Sequence, residues 1–486
     1  MQNFAAANKR LSHLHLTSRN RIFVVYNRDR MELPKEFIEH TTVLFGEERY
    51  QRFEAGLQEE PVVSVRINPK KPFVEWEGEK VAWAENGRYI ENRPSFTADP
   101  LFHAGCYYVQ EASSMFIEQV LKQYTDAPVR MLDLCAAPDG KSTHALSLLP
   151  EGSLFVANEP VPLRASILAE NIIKWGAPNA VVTRNEPADF TPLEDFFDII
   201  LVDAPCSGEG MFRKDARAVT LWSPGNVKTC VERQRTILAD IWPTLRPGGL
   251  LIYSTCTFNA HEDEETVAWM RDELGAEILP VEISDDWDIT GNLTADSCEE
   301  DKFPVYRFIP GYTRGEGFFL ALLRKEGDSR VAQPRPARSK ATPLPKNHTE
   351  IKSWITSAAY DFSVESDEVI AIPAEHKAAI SALQSRLKVL HCGVPLASIK
   401  GKKAQPLHQL AMSNILDRDK FPAVELSCEQ ALAYLHREAL TLPDAPMGIV
   451  LFTYKNAPLG FAKNVGNRVN NLYPAEWRIR KNPMEL

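Results

Sequence analysis

Two short stretches place a cysteine among residues that could make it reactive: Asp203-Ala204-Pro205-Cys206-Ser207-Gly208 and Ser254-Thr255-Cys256-Thr257. The chemistry open to them is covalent catalysis, in which a thiolate adds to an electrophilic carbon and divides one hard step into two easier ones. A neutral thiol attacks poorly. The site should therefore lower a thiol pKa, with Lys141 and strand-end or helix amides as the means at hand. Each stretch follows an apolar run, Phe197-Asp198-Ile199-Ile200-Leu201-Val202 for the first and Gly248-Gly249-Leu250-Leu251-Ile252-Tyr253 for the second. Such runs, with helical patterns between them, read as parallel strands of an α/β sheet. Ligands in these sheets bind outside the carboxyl ends of the strands, so both cysteines should face one crevice.

Residues 130–134 read as another strand, followed by the loop Cys135-Ala136-Ala137-Pro138-Asp139-Gly140-Lys141 and a helix through Leu149. Small residues there let backbone amides at a helix N-terminus approach a ligand closely. Gly140-Lys141-Ser142 imitates a nucleoside-triphosphate loop, but Cys135 stands where that motif needs glycine, and the spaced glycines of a nicotinamide site are absent. The strand 153–158 ends in Glu159, a carboxylate placed for ribose hydroxyls. Loop and carboxylate together point to an adenosine cofactor without phosphates. A helix over 160–175 carries Arg164, and a strand at 180–183 leads to Asn185 and Glu186, which could reach an adenine edge or form a plain loop.

The segment with Gly208, Gly210, Arg213 and Lys214 is expected to be a mobile, basic loop. Helical spacing covers 231–245, broken by Arg246-Pro247-Gly248-Gly249. The run His261-Glu262-Asp263-Glu264-Glu265 opens a helix whose acidic first turn suits the helix dipole, and 317–323 reads as the last strand of the sheet.

Upstream, one helix is expected over 33–57 with Pro34 in its first turn. A strand at 62–68 sets Arg66 and Asn68 on one side, to meet phosphate or solvent. Residues 107–115 run from a strand into a helix. The first thirty residues carry Arg10, Arg19, Arg21, Arg28 and Arg30 without periodicity, so they are either a basic arm or an extension ahead of a start at Met31. Downstream, 326–349 is a basic, proline-rich linker. Residues 448–463 form a hairpin around an Asn-containing turn. The C-terminal stretch then interleaves Lys463, Arg468, Arg478, Arg480 and Lys481 with Tyr473 and Trp477. That mixture suits phosphate contacts and base stacking, a solvated face being the alternative.

At 486 residues the chain should hold two to four domains, at roughly 150 residues each. No apolar run approaches the roughly 20 residues that span a bilayer, and no secretory signal is evident, so no membrane role and a cytoplasmic location are expected. The eight cysteines form no CxxC pair or zinc-type cluster, which predicts free thiols and no metal. A net charge of -10 argues against indiscriminate nucleic-acid binding while allowing a local basic surface.

The motifs at 135–141, 203–210 and 254–257, in that order, resemble the Sun-type RNA cytosine-5 methyltransferases over most of residues 31–325. The C-terminal Gly460-Phe461-Ala462-Lys463-Asn464-Val465-Gly466-Asn467-Arg468 and Tyr473-Pro474-Ala475-Glu476-Trp477-Arg478 are similar to a bacterial branch of that family that modifies 16S, small-subunit rRNA. The resemblance implies S-adenosyl-L-methionine as cofactor, held by Cys135, Ala136, Ala137, Pro138, Asp139, Gly140 and Lys141, with Glu159, Arg164, Glu186, Asp203 and Pro205. It implies Cys256 as the nucleophile toward C6 of cytosine and Cys206 as the cysteine needed for product release; a carboxylate near N3 should help stabilise charge on the ring, and Asp203 is placed for it. The base must be unstacked and turned into the crevice. Two departures stand out: Asp139 replaces a usual glycine, where its charge could alter cofactor affinity, and Asp263 replaces a common asparagine.

The expected architecture is a doubly wound, Rossmann-like α/β methyltransferase domain over 106–325. A small N-terminal α+β domain that contacts RNA (31–105) precedes it, and a PUA-like β-rich RNA-binding module (350–486) follows the linker. The expected partner is RNA, either small-subunit rRNA or the assembled subunit, bound by a monomer. Rival readings are a tRNA cytosine-5 methyltransferase and a non-catalytic ribosome-assembly factor. A DNA cytosine methyltransferase would place its nucleophile at Cys206, and the presence of Cys256 separates the two.

Overall fold

The two helices Lys35–Phe45 and Glu47–Gln58 replace the single helix expected over 33–57. Gly46 takes a φ of 73° between them, and Pro34 caps the first helix from outside. Phe53, on the second helix, packs edge to face on Phe258 at 4.8 Å between ring centroids, which sets this pair against the chain just past Cys256. The structure, a computed structural model, describes residues 31–294, 302–327 and 342–480. The arm over 1–30, Cys298, most of the linker and Lys481 lie outside the described residues.

Strands β1 (Val63–Ile67), β2 (Gly87–Ile90) and β3 (Tyr107–Val109) form an antiparallel sheet with β1 central, so the N-terminal sheet extends past residue 105. Arg66 and Asn68 correct both expectations for this strand, since they are 1% and 0% exposed. Arg66 Nε donates to Gln110 Oε1 at 2.7 Å, Nη2 donates to Thr143 Oγ1 at 2.6 Å, and the guanidinium lies 4.4 Å from the Trp175 ring. Asn68 Nδ2 donates to the carbonyls of Gly105 and Trp175. Alternation along a strand reports a polar face, and here that face meets a second layer of protein.

The central sheet has β4 (Arg130–Asp133), β5 (Leu154–Asn158), β6 (Ala180–Thr183), β7 (Phe197–Asp203) and β8 (Leu245–Thr255), parallel in the order β8-β7-β4-β5-β6. These strands are buried on both faces, which is why their apolar runs are nearly unbroken. The chain turns to opposite sides of β4, and the crevice for a ligand opens at that switch point. Beyond β8, β11 (Phe318–Lys325) runs antiparallel and is flanked by β9 (Ala276–Leu279) and β10 (Tyr306–Phe308), so it does not end the sheet. The helix Pro224–Ile241 starts before the expected residue 231 because Ser223 Oγ caps it, accepting from Asn226 N, with Pro224 in the first turn.

In the C-terminal part, β12 (Thr342–Pro343) lies within the expected linker and pairs with β13 (Tyr360–Glu365). With β14 (Glu368–Pro373), β16 (Val394–Lys400) and β17 (Lys403–Pro406) they form a five-stranded sheet. The intervening β15 (Val389–Cys392) leaves that sheet and pairs antiparallel with β6, as a strand of the central sheet. A further sheet comprises β18 (Ala423–Glu425), β19 (Gly448–Tyr454), β20 (Ala457–Asn464) and β21 (Val469–Asn471). Lys455 and Asn456 make the hairpin turn of β19 and β20 with φ of 48° and 65°, the left-handed pair that such turns need. Tyr473 and Trp477 are not free stacking platforms: Tyr473 is buried, and both rings pack edge to face on His408. Among the described residues, no helix is long and apolar enough to cross a membrane.

Candidate active site

At the carboxyl ends of the neighbouring strands β7 and β8, Cys206 Sγ lies 3.3 Å from Cys256 Sγ. The one crevice expected for both thiols is therefore present. Asp203, the last residue of β7, accepts from Ser254 Oγ at 2.8 Å through one oxygen and pairs with Lys141 Nζ at 2.9 Å through the other. Burial opposes the charge on Lys141, and the contact with Asp203 more than offsets it, so the ammonium is held above its ordinary pKa. The Cys206 thiol is also pushed well up, first by its hydrogen bond to Cys256 and then by burial. For Cys206, the expected lowering of a thiol pKa is reversed.

The loop that carries Cys206 is held from below. Ser207 N donates to Glu262 Oε2 at 3.0 Å, and Gln234 Nε2 donates to both Pro205 O (3.0 Å) and Glu262 Oε2 (2.7 Å). Asn259 Nδ2 reaches Thr257 Oγ1, Glu209 Oε1 and Glu262 Oε1 at 2.8 to 2.9 Å, and Gly210 N donates to Cys256 O at 2.8 Å. The two cysteine loops are thus tied directly. The expected mobile, basic segment is fixed instead: Arg213 is buried, paired with Glu316 at 2.7 Å and donating to the carbonyls of Gly56 and Gly315.

The acidic run does more than meet a helix dipole, because Glu262, Asp263 and Glu264 are all buried. Arg307, from β10, lies between Asp263 and Glu264, with Nη1 3.0 Å from Asp263 Oδ2. Asp263 Oδ1 accepts from Thr255 Oγ1 at 2.6 Å, beside Cys256.

On the other side of Lys141, the loop 135–139 leads from β4 to the helix Gly140–Leu148. Asp139 adopts the left-handed φ of 94° for which a glycine would serve. Its carboxyl group is turned inward, accepting from Tyr108 Oη at 3.0 Å and Asn171 Nδ2 at 2.9 Å, and burial pushes its pKa far up. The expected charge in the cofactor loop is therefore withdrawn from it. Asp133 accepts from Ser142 Oγ at 2.6 Å, and burial raises it to about 7. Burial likewise raises the Cys135 thiol.

Glu159 is buried at the end of β5, where Oε1 accepts from Val161 N at 2.8 Å and Oε2 lies 3.2 Å from Arg164. Arg164 also donates to Ala137 O at 2.8 Å, which joins the second strand end to the loop. Glu186 is exposed after β6, with its N–H donating to Asp189 Oδ2, while Asn185 is turned away to Lys388. A carboxylate has lone pairs for more acceptor bonds than Glu159 makes here. A small-residue loop, a strand-end carboxylate and a second one at Asp203 are the chemistry an adenosine-bearing sulfonium needs, so the residues fit such a cofactor. Among the described residues, no group of His, Cys, Asp and Glu could hold a metal.

Sequence reasoning missed Gln234, Asn259, Glu262 and Arg307. Gln234 left a trace, a polar residue on the side of its helix that buries Val227, Leu238 and Ile241. Glu262 stood in the acidic run, read only as a match for the helix dipole, and Asn259 and Arg307 left none.

Residues 119–324 match the family described as 16S rRNA methyltransferase RsmB/F. Residues 33–112 match the N-terminal domain of 16S rRNA methyltransferase RsmF, and residues 421–479 the methyltransferase RsmF PUA domain. Ribosomal RNA small subunit methyltransferase F of Cronobacter sakazakii is 32% identical over 443 residues, covering 85% of this chain and 89% of that one. The protein of the same name from Erwinia tasmaniensis is 30% identical, covering 92% and 97%. Among solved structures, a methyltransferase homologue protein from Pyrococcus horikoshii superposes with a TM-score of 0.52 at 27% identity, covering 61% of this chain and 96% of that one.

Proposed function

The chain belongs to the RsmF family of 16S rRNA methyltransferases, which use S-adenosyl-L-methionine, and from that premise we propose that it methylates C5 of a cytosine through a covalent adduct on Cys256. The observation that carries this reading is the pair of thiols 3.3 Å apart, beside an Asp203 held by both Ser254 and Lys141.

Cytosine C5 is a poor nucleophile until a thiolate adds to C6. Cys256 Sγ forms that bond, and the ring electrons shift toward C5. Asp203, oriented by its two partners, lies beside N3 and steadies the charge that addition spreads over the ring. Bound S-adenosyl-L-methionine supplies an electrophilic methyl group. Residues 135–141, with Glu159, Arg164, Glu186, Asp203 and Pro205, line its place at the strand ends. After methylation the C5 proton leaves to solvent, and the C6–S bond breaks with its electron pair returning to Cys256. Cys206, in contact with that sulfur, hydrogen-bonds the departing thiolate.

The N-terminal sheet and the region from 350 onward, including the stretch that matches a PUA domain, hold small-subunit rRNA. The enzyme acts in the cytoplasm as a monomer and without a metal. Bisulfite sequencing of ribosomal and transfer RNA with and without the gene tests the substrate. A cytosine in 16S rRNA that loses protection supports this reading, and loss in tRNA alone moves the target. For the mechanism, Cys206→Ala should accumulate a protein–RNA adduct that migrates slowly on a denaturing gel, and Cys256→Ala should form neither adduct nor product.

A further inference from the structure

Two thiols in contact, each at the end of a strand, are chemically alike, and their separation does not say which becomes the nucleophile. Their surroundings differ. Lys141 stands on the side of Asp203 and adds its positive field to Cys256. Beneath Cys206 lies Glu262, whose carboxylate receives Ser207 N, Gln234 Nε2 and Asn259 Nδ2. Burial raises the Glu262 carboxyl, and these donors together with the Ser207 hydroxyl pull it back toward the carboxylate. Among the described residues no lysine or arginine pairs with it. Its charge therefore reaches the thiol next to Ser207 without a counter-ion between.

Resting on the proposed role of Cys256, we infer that Glu262 is a positioning residue that assigns the two thiols their parts. Its carboxylate, caged under the Cys206 loop, keeps Cys206 protonated and leaves the thiolate to Cys256. The contact with Cys256 and burial raise Cys206 in the same sense, while the cations on the neighbouring elements face other groups first: His261 pairs with Glu265, Arg307 with Asp263 and Glu264, and Arg233 faces Cys230. Glu209, Asp263 and Tyr253 add negative or neutral groups around Glu262, and Cys230 feels the same field. The single contact that favours a negative Cys206, donation from Cys256 N, is long at 3.4 Å.

The test is the pH dependence of iodoacetamide alkylation on the full chain without RNA, followed at each cysteine by peptide mass spectrometry. The midpoint in pH is read rather than the rate, so that access does not enter. In the wild-type protein Cys206 should titrate at least about one pH unit above Cys256, a tenfold difference in thiolate. Glu262→Gln, which removes the charge at nearly constant volume, should bring the Cys206 midpoint down by about one unit. Glu262→Asp should retain the gap, since it keeps the charge. A wild-type Cys206 that titrates with or below Cys256 overturns the inference without any variant. A gap unchanged in Glu262→Gln also overturns it, as does one lost equally in Glu262→Asp. Should Glu262→Gln melt below the assay temperature, the alkylation is repeated at a lower temperature, where the same two midpoints decide. Trapping of RNA by Cys206→Ala reports separately on the proposed role of Cys256.

Discussion

Lys141 Nζ stands 2.9 Å from Asp203 Oδ2, joining the loop after β4 to the end of β7 across the switch point of the sheet. The ion pair is largely buried on the lysine side and fixes the carboxylate that the proposed mechanism sets beside the base. Lys141→Met should lower single-turnover methyl transfer by about 100-fold, the scale for one positioned acid–base or charged group. S-adenosyl-L-methionine affinity, read by calorimetry, should fall much less. Equal losses in both would mean that Lys141 serves binding alone.

Arg307 is the cation between two buried carboxylates. Arg307→Met should cost about 3 kcal/mol or more of unfolding free energy in urea, because it leaves Asp263 and Glu264 buried without their counter-charge. Asp263→Asn, the residue commoner in the family, should stay within about 1 kcal/mol, since Arg307 keeps Glu264 and Thr255 keeps an acceptor. A large loss in Asp263→Asn would show that the second charge is needed.

How far the site could be read from the sequence divides along the same line. The strand ends carrying Cys206 and Cys256 were legible because parallel strands buried on both faces leave long apolar runs, with glycine, proline and polar residues at their ends. Arg307 was not, because it lies 43 positions from Glu264 and nothing in either local pattern refers to the other. Arg66 misled for a related reason: periodicity assigns a side chain to a face, and only packing decides what covers that face. The strand β15, four residues of mixed character, gave no hint that it would cross to the central sheet.

Asp133 gives the pH dependence its sign. Burial raises it to about 7 in the folded chain, against 3.8 for the free group. Between those values the folded state holds a proton that the unfolded state has released. Its contribution to stability is therefore full below the lower value and is lost as pH rises through the upper one. Measured by urea unfolding between about pH 5 and 8, the wild-type protein should lose ground to Asp133→Asn. A constant difference would mean that Asp133 titrates normally.

Gly210 leaves no room for a side chain between the catalytic loops. A Cβ there would meet Gly317 O at 2.7 Å and Cys256 O at 3.0 Å, both backbone atoms that cannot swing aside. Gly210→Ala should push the Cys256 loop outward and reduce turnover by at least about tenfold, as misplacements of a fraction of an ångström to 1 Å do. Thermal unfolding and turnover measured together check this; unchanged turnover would show that the loops have slack.

The pairing of β15 with β6 bears on what can be cut from this protein. A sheet that ends in an unpaired strand offers its open backbone groups to other chains, and natural proteins cover such strands. Here the cover for β6 comes from residues 389–392, far along the chain. A fragment ending at residue 327 would retain every residue assigned to the chemistry and still expose the edge of β6, Ala180–Thr183. Such a fragment should self-associate on expression. The tail thus doubles as an internal chaperone for the sheet, and excising the catalytic part from it would leave β6 open to other chains.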